Sequence, residues 1–399
     1  MADPHRTRVL LASIALLAAQ SLAPGQDSSD SASGGGRPER VEKGIVLLVG
    51  FPDVSHNIDR DFVQMRFSRQ LSGYVKEMSY NKVSLDVDVT ERWYVLPNPV
   101  TRYRISPRNL EVDKSRVRKL IDDALHAVDK EVDFSKYSFV AIFMGAQQAE
   151  YGMIGLCGYP GMLGWSSQDI PRTTRGQPIR GGVAIFCYQA HLGTLFHDIA
   201  HILGGTQDGR RRVPCLYDHD LQARPGPLRE TAVDAMINMG FWDPMSCHFI
   251  ERGIAPPGLS SWTRMRLNWI DPEKIKVVKP GQRTEVVLGP LEDGSSGTLV
   301  IKIPVSESTY YLVENRQPIG CDRVLPGSGV LILYADDRIA ECRQGRSPVR
   351  LMDADPSVPH LEGAAFDIGR KGSFRDNRNR ISIRLEEKIG SSYRVLISS

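Results

Sequence analysis

Apolar positions along this chain fall into two textures, one in which strands and helices alternate and one made almost wholly of strands. Ile45-Val46-Leu47-Leu48-Val49 is a continuous apolar run that predicts a strand buried on both faces, broken by Phe51-Pro52-Asp53. Across 60–79 the apolar positions Phe62, Met65, Leu71, Tyr74 and Val75 have loosely helical spacing. Val83, Leu85, Val87 and Val89 then alternate with Ser84, Asp86, Asp88 and Thr90, the period of a strand with one wet face. Asp113 stands where it can cap a helix whose apolar stripe is Val117, Leu120, Ile121, Ala124, Leu125 and Val128. Phe139 to Met144 and Val183 to Cys187 predict two further buried strands. Alternation of this kind predicts an α/β sandwich that ends on the helix around residue 200.

After about residue 273 the texture changes. Lys276–Val278, Glu285–Leu288, Leu299–Ile303, Tyr310–Val313, Val330–Tyr334, Ile381–Leu385 and Tyr393–Ile397 are strand-like runs separated by Gly, Pro, Asp and Ser. They predict a β-rich, sandwich-like C-terminal domain over 273–399. The fold class expected is therefore α+β, with an α/β domain over 44–272.

The N-terminus adds a separate feature. His5, Arg6 and Arg8 precede an apolar run from Val9 to Ala19, and small residues follow at Ser21, Ala23 and Gly25. That order predicts an export signal over 1–25, with an uncleaved anchor as the alternative, for which the run is short. Residues 26–43, rich in Ser, Gly, Asp and Arg, read as a disordered linker. The expectation is an exported protein, extracellular or periplasmic, with no membrane attachment after cleavage. Six cysteines are an even number for such a chain, so up to three disulfides are allowed, and buried thiols are the other reading, Cys187 above all. The net charge is only +3 and no basic stripe with interleaved aromatics occurs, which argues against a nucleic-acid partner. The short run Arg210-Arg211-Arg212 reads as a solvated loop.

The chemistry concentrates in His197-Asp198-Ile199-Ala200-His201. Two histidines four apart on a helix project from one face and can grip one metal ion. With Glu after the first His, this spacing marks zinc proteases; here that position is Asp198. With 9 histidines in 399 residues, about 0.2 such pairs are expected by chance, so the pair needs its context. Leu192, Leu195, Phe196, Ile199, Ile202 and Leu203 would bury the helix, and Gly204-Gly205 would stop it. Phe241-Trp242-Asp243-Pro244-Met245-Ser246 offers Met245 for a methionine turn beneath a metal site, although an ordinary core Met has the same pattern.

Several stretches resemble the immune-inhibitor-A-like secreted metallopeptidases. They are Ile45–Asp53 (IVLLVGFPD), Tyr74–Leu96, Val132–Tyr137, Trp242–Ser246, Leu259–Pro272 (LSSWTRMRLNWIDP), Tyr311–Gln317 (YLVENRQ) and Leu325–Leu333 (LPGSGVLIL). The resemblance implies a metzincin-like catalytic domain, protein or peptide substrates, and Zn2+ held by His197 and His201. It also implies that Asp198 stands where the family has its catalytic Glu, with the same charge and a shorter reach. For the third ligand two alignments compete. Counting without gaps from Gly204 reaches Gln207 and its neighbour Asp208, which is preferred for nearness in sequence. The words Pro214-Cys215-Leu216-Tyr217-Asp218 echo the family's ligand loop and put Cys215 at the ligand position; Asp218 and His219 are also chemically competent.

The alternatives follow from the same residues. Loss of a well-placed general base commonly costs about 10²–10⁴-fold, so a pseudopeptidase or a zinc-containing extracellular binding protein is the second reading. The words His197-Asp198 also resemble His-Asp metal phosphohydrolases, but those folds are all-helical and usually cytosolic, and strands flank the motif here. Tyr151 to Trp165, rich in Gly, Met and aromatics, reads either as a cleft-lining edge strand and loop or as a packed loop. No complete EF-hand loop occurs, and calcium on other oxygen ligands is left open as a second cofactor.

Overall fold

The computed structural model describes residues 40–222, 235–248 and 255–399, so the expected export signal and most of the linker lie outside the described residues. The first strand, β1 (Arg40–Gly50), starts four residues before the expected boundary at Gly44. Its early start is fixed by parallel pairing with β2 (Val83–Val89), in which Arg40 lies opposite Val83. β1 also pairs in parallel with β3 (Tyr94–Val95) and β4 (Phe139–Met144), and β4 with β6 (Val183–Cys187). The strand β5 (Gly155–Tyr159) runs antiparallel to β6 at the edge, giving the order β2-β1-β4-β6-β5.

The central strands are apolar throughout because both faces of the sheet are covered. Alternate residues divide between two cores: Val46, Leu48, Phe139, Ala141, Phe143, Ala184 and Phe186 on one face, and Ile45, Leu47, Val49, Val140, Ile142, Val183 and Ile185 on the other. The helix Lys114–Val128 covers the second face with the predicted stripe, and Asp113 caps it by accepting from the Ser115 and Arg116 N–H groups. On the first face lie the segments Arg60–Met65, Arg66–Leu71 and Ser72–Met78, followed later by the helix Leu192–Gly204. The middle segment Arg66–Leu71 is a π-helix, whose wider turn explains the loose spacing in the sequence. As a result Phe62 is left 42% exposed, while Phe67, Leu71, Tyr74 and Val75 are buried.

The C-terminal strands form the expected sandwich. β14 (Val349–Leu351), β13 (Gly329–Asp336), β12 (Thr309–Arg316), β11 (Val300–Pro304) and β9 (Ile275–Val277) make one sheet in that order. β10 (Arg283–Leu288), β17 (Ser392–Ser398), β16 (Ile381–Ile389) and β15 (Ser373–Asp376) make the other. Between them pack Ile301, Ile303, Tyr311, Val313 and Ile332 against Val286, Leu288, Ile383, Val395 and Ile397. The opposite face of the larger sheet, through Val300, Leu312, Leu331 and Leu333, joins the core that also contains Val46 and Phe196. The change of texture near residue 273 thus marks a change of architecture without a break in the packing. The chain is α+β, as its pattern predicts.

A buried ion network holds this junction. Arg316 bonds Asp322 in bidentate fashion at 2.7 Å and Glu314 at 3.1 Å, and it donates to the Trp242 and Gly258 carbonyls. Arg264 pairs with Glu292 beside it. Through Trp242, the sandwich anchors the turn that carries Met245.

Candidate metal centre

The helix Leu192–Gly204 is buried along nearly its whole length, as its apolar surroundings require. It stops where Gly205 adopts a positive φ of 63°, a conformation that glycine takes without strain. Spacing of four brings His197 and His201 to one face, with ring centroids 4.8 Å apart.

Both imidazoles are fixed by the nitrogen that faces away from the centre. His197 Nδ1 lies 3.0 Å from the Pro244 carbonyl, and His201 Nδ1 lies 2.6 Å from the Val213 carbonyl. A carbonyl can only accept, so each Nδ1 carries the proton and each Nε2 presents a lone pair. Burial lowers the proton affinity of both rings below the usual 6.5, which keeps them neutral. This is the tautomer that metal-ligating histidines need.

The two Nε2 atoms meet at Cys215. Its Sγ lies 3.5 Å from His197 Nε2 and 3.6 Å from His201 Nε2, and the three donor atoms all fall within 4.8 Å of one another. Zinc bound tetrahedrally, about 2.0–2.1 Å from nitrogen and about 2.3 Å from sulfur, would hold N and S about 3.6 Å apart. The donor set therefore fits a zinc-sized divalent ion.

The surroundings of Cys215 favour a thiolate. Burial alone would raise the thiol, but the Arg211 guanidinium and the neighbouring His219 outweigh it and hold the group below its usual 9. Arg211 Nη2 is 4.0 Å from the sulfur, and its own orientation is set by Glu341, at 3.0 and 2.9 Å. Beside it the Tyr217 hydroxyl accepts from Asn109 Nδ2 at 2.7 Å. The expectation of a solvated loop for Arg210–Arg212 is corrected at its middle residue: Arg211 is buried, while Arg210 on the same short strand is exposed.

The preferred third ligand, Asp208, is not brought to the centre. Thr206–Gln207 (β7) and Arg210–Arg211 (β8) form a two-residue hairpin whose tip is Asp208-Gly209, with φ of 51° and 68°. Asp-Gly is a preferred pair for such a turn because both positions need positive φ. Asp208 is spent on the turn and is exposed. The hairpin lengthens the path from the helix, and this is why the gapped reading, with Cys215, describes the geometry. Asp218 is buried but occupied otherwise: its carboxylate accepts from the Asp220, Leu221 and Gly345 N–H groups. His219 stands next to the sulfur and outside the three-donor group.

Met245 is buried in the turn predicted for it. The Asp243 carboxylate accepts from Met245 N–H at 2.8 Å and from Ser260 and Thr263, which closes the turn. The preceding carbonyl, Pro244, holds His197, and the Met245 carbonyl accepts from Leu216 N–H at 2.8 Å. The turn thus braces both the first histidine and the segment that carries Cys215.

Asp198 lies on the cleft side of the helix and is buried. Burial pushes its carboxyl up to about 7, partly offset by His197. It sits so close to Gly155 of β5 that a Cβ there would lie 2.8 Å from Oδ2. The cleft holds about 440 Å³, within the range of ligand pockets. His197, Asp198, His201, Cys215 and Tyr217 form its floor, and Met153, Ile154, Leu156, Met162 and Trp165 part of its wall. The stretch Tyr151–Trp165 is thus edge strand and cleft wall, the first of its two readings.

Sequence reasoning missed Arg211, Tyr217 and His248, whose ring centroid is 4.4 Å from that of His197. The words Cys215-Leu216-Tyr217 held a signal for Tyr217; nothing local marks His248. Among the described residues no disulfide forms between the six cysteines, so the buried-thiol reading describes Cys187, and Cys215 belongs to the donor group. No helix among the described residues is long and apolar enough to cross a membrane. Neither a protein-family model nor a curated protein matches the chain.

Proposed function

We propose that this protein is a secreted zinc-dependent endopeptidase of metzincin-like design, with Zn2+ held by His197, His201 and Cys215. One observation carries the reading: three convergent donors stand on one side of an open cleft. Structural zinc sites close with four protein ligands, whereas catalytic ones use three and leave a position for water or substrate. Zinc so bound would supply a Lewis acid and a water acidic enough to attack a carbonyl near neutral pH.

The protein's own groups account for the remainder. Asp198, one residue beyond the first ligand and facing the cleft, serves as the base that takes the attacking water's proton and returns it to the leaving amine. β5 is the edge strand of its sheet and lines the cleft, so an extended peptide bound there would lie beside its backbone. Arg211 favours the charged form of the sulfur.

The test is zinc content and cleavage of casein or a quenched peptide by the purified protein. The reading expects about one zinc per chain, activity abolished by a chelator and restored by zinc, and a loss of about 10²-fold or more in Asp198→Ala. Zinc binding without cleavage would replace it by the second reading, a zinc-holding pseudopeptidase. That reading is favoured by a specific feature: the Asp198 carboxylate is one methylene shorter than Glu and is buried. In that case Asp198→Glu, which restores reach, would create activity. Calcium has no support from the described residues beyond scattered acidic groups, and phosphoester turnover would be the result that favours a phosphohydrolase.

A further inference from the structure

Cys215 differs from the two histidines in how the chain carries it. His197 and His201 stand on the helix Leu192–Gly204, whereas Cys215 lies beyond β8 on a segment that has no helix or strand of its own as far as Gln222. Such a backbone is placed by the groups that bond it from outside. Much of what holds this segment comes from the sandwich, through the loop 337–348 that joins β13 to β14.

The loop meets the segment at both ends. Before Cys215, Glu341 takes the Arg211 guanidinium with both carboxylate oxygens, at 3.0 and 2.9 Å, and the two side chains are only 18% and 7% exposed. After Cys215, Arg343 donates to both oxygens of Asp220 at 2.6 and 2.9 Å, and the Gln344 N–H adds a third bond at 3.0 Å. The Gly345 N–H donates to Asp218 Oδ2 at 2.6 Å, and the His219 N–H donates to the Cys342 carbonyl at 3.4 Å. The loop has a shape of its own to impose. Arg343 and Arg346 exchange backbone hydrogen bonds at 2.9 Å around Gln344-Gly345, whose φ values of 51° and 74° make a tight hairpin turn. Cys342 is buried in the core shared with the first sheet, and the Asp336 N–H donates to the Pro348 carbonyl at 2.9 Å across the loop's ends.

Arg211 carries this placement to the sulfur. Its Nε and Nη2 face Glu341, and Nη2 also lies 4.0 Å from Cys215 Sγ. Two parallel N–H···O bonds fix the plane of a guanidinium that one bond would leave free to turn. A pair of this kind on an open surface would contribute little, but this one is buried beside a ligand atom. We infer that Glu341 is a positioning residue of the metal centre: it fixes Arg211, and through Arg211 the Cys215 sulfur, so that the sandwich frames the third ligand while the helix supplies the other two. The inference rests on Cys215 as a metal ligand, as proposed above, and does not depend on peptide cleavage. Groups that orient a metal ligand from behind typically govern affinity by about 10–100-fold.

The experiment uses the purified full chain as wild type, Glu341→Gln and Glu341→Asp. Zinc affinity is read by chelator competition, and the thiolate-to-metal charge-transfer band by absorption of the Co2+ form. Glu341→Gln should weaken zinc binding about 10–100-fold and shift or weaken the band, and Glu341→Asp, which keeps the charge, should recover part of both. A purely structural pair would lower the unfolding midpoint and leave affinity and band unchanged, and that result overturns the inference. Should Glu341→Gln fail to fold, the wild type decides through hydrogen exchange followed by mass spectrometry, with and without zinc. Zinc on Cys215 should slow exchange in 337–348 as well as in 211–221, because each holds the other. Protection confined to 211–221 overturns the inference. A wild type without a thiolate band overturns the metal-centre assignment and this inference together, whereas a normal band that ignores Glu341 overturns the inference and leaves the centre standing. Peptide cleavage enters none of these readouts, so failure of the endopeptidase reading alone is told apart from failure of this one.

Discussion

Replacing Cys215 by Ala should cost the centre most of its metal affinity. Sites with a full ligand set bind zinc with about 10–16 kcal/mol. Divided over three or four ligands, the loss of one corresponds to about 2.5–5 kcal/mol, or a factor of about 10²–10⁴ in affinity. The donor geometry argues for the upper part of that range: Sγ lies 3.5 and 3.6 Å from the two Nε2 atoms, so no large rearrangement precedes binding. Competition with a chromophoric zinc chelator measures the change, and Asp208→Asn is the matched control. Asn tolerates the positive φ of the hairpin tip, so this variant should stay within about twofold of the wild type. Substitution with Co2+ adds a direct readout, because a thiolate ligand gives a charge-transfer band that Cys215→Ser would lose. Unchanged affinity in Cys215→Ala, or a large loss in Asp208→Asn, would refute the assignment of the third ligand.

Other outcomes follow from the same geometry. Gly155→Ala puts a Cβ 2.6 Å from Thr194 Cγ2 and 2.8 Å from Asp198 Oδ2, so it should lower kcat about 10-fold or more while zinc affinity changes little, as kinetics and metal titration on one preparation would reveal. Arg316→Met strands the buried Asp322 and Glu314 carboxylates and should cost about 3–5 kcal/mol in denaturant unfolding. Burial alone would raise Asp322, but Arg316 outweighs it and holds the carboxyl below its usual 3.8. A lowered folded-state value gives stability that is complete above the unfolded value and lost as pH falls through the folded one. Acid unfolding followed by circular dichroism should therefore show a shallower pH dependence below about pH 4 in Asp322→Asn than in the wild type.

Much of the architecture was legible because burial writes itself into periodicity. The apolar runs at Ile45, Phe139 and Val183 are strands covered on both faces, and the stripe from Val117 to Val128 is the buried face of a capped helix. The histidine pair was legible because its spacing equals one helical turn. What was not legible depended on tertiary placement. Asp208 looked suitable by distance along the chain, yet the demand of an Asp-Gly turn for positive φ takes it to a hairpin tip. Arg211 looked solvated among three arginines, but strand alternation turns it inward to Glu341 and Cys215 while Arg210 faces out. The π-helical segment at Arg66–Leu71 shifted the buried face and left Phe62 outside.

The most direct test of the metal centre is zinc-edge X-ray absorption on the purified full chain. The account predicts one sulfur at about 2.3 Å and two imidazole nitrogens at about 2.0–2.1 Å, with the remaining density from oxygen. A first shell without sulfur, or a preparation that binds no zinc when Cys215 is reduced and zinc is supplied, would contradict it.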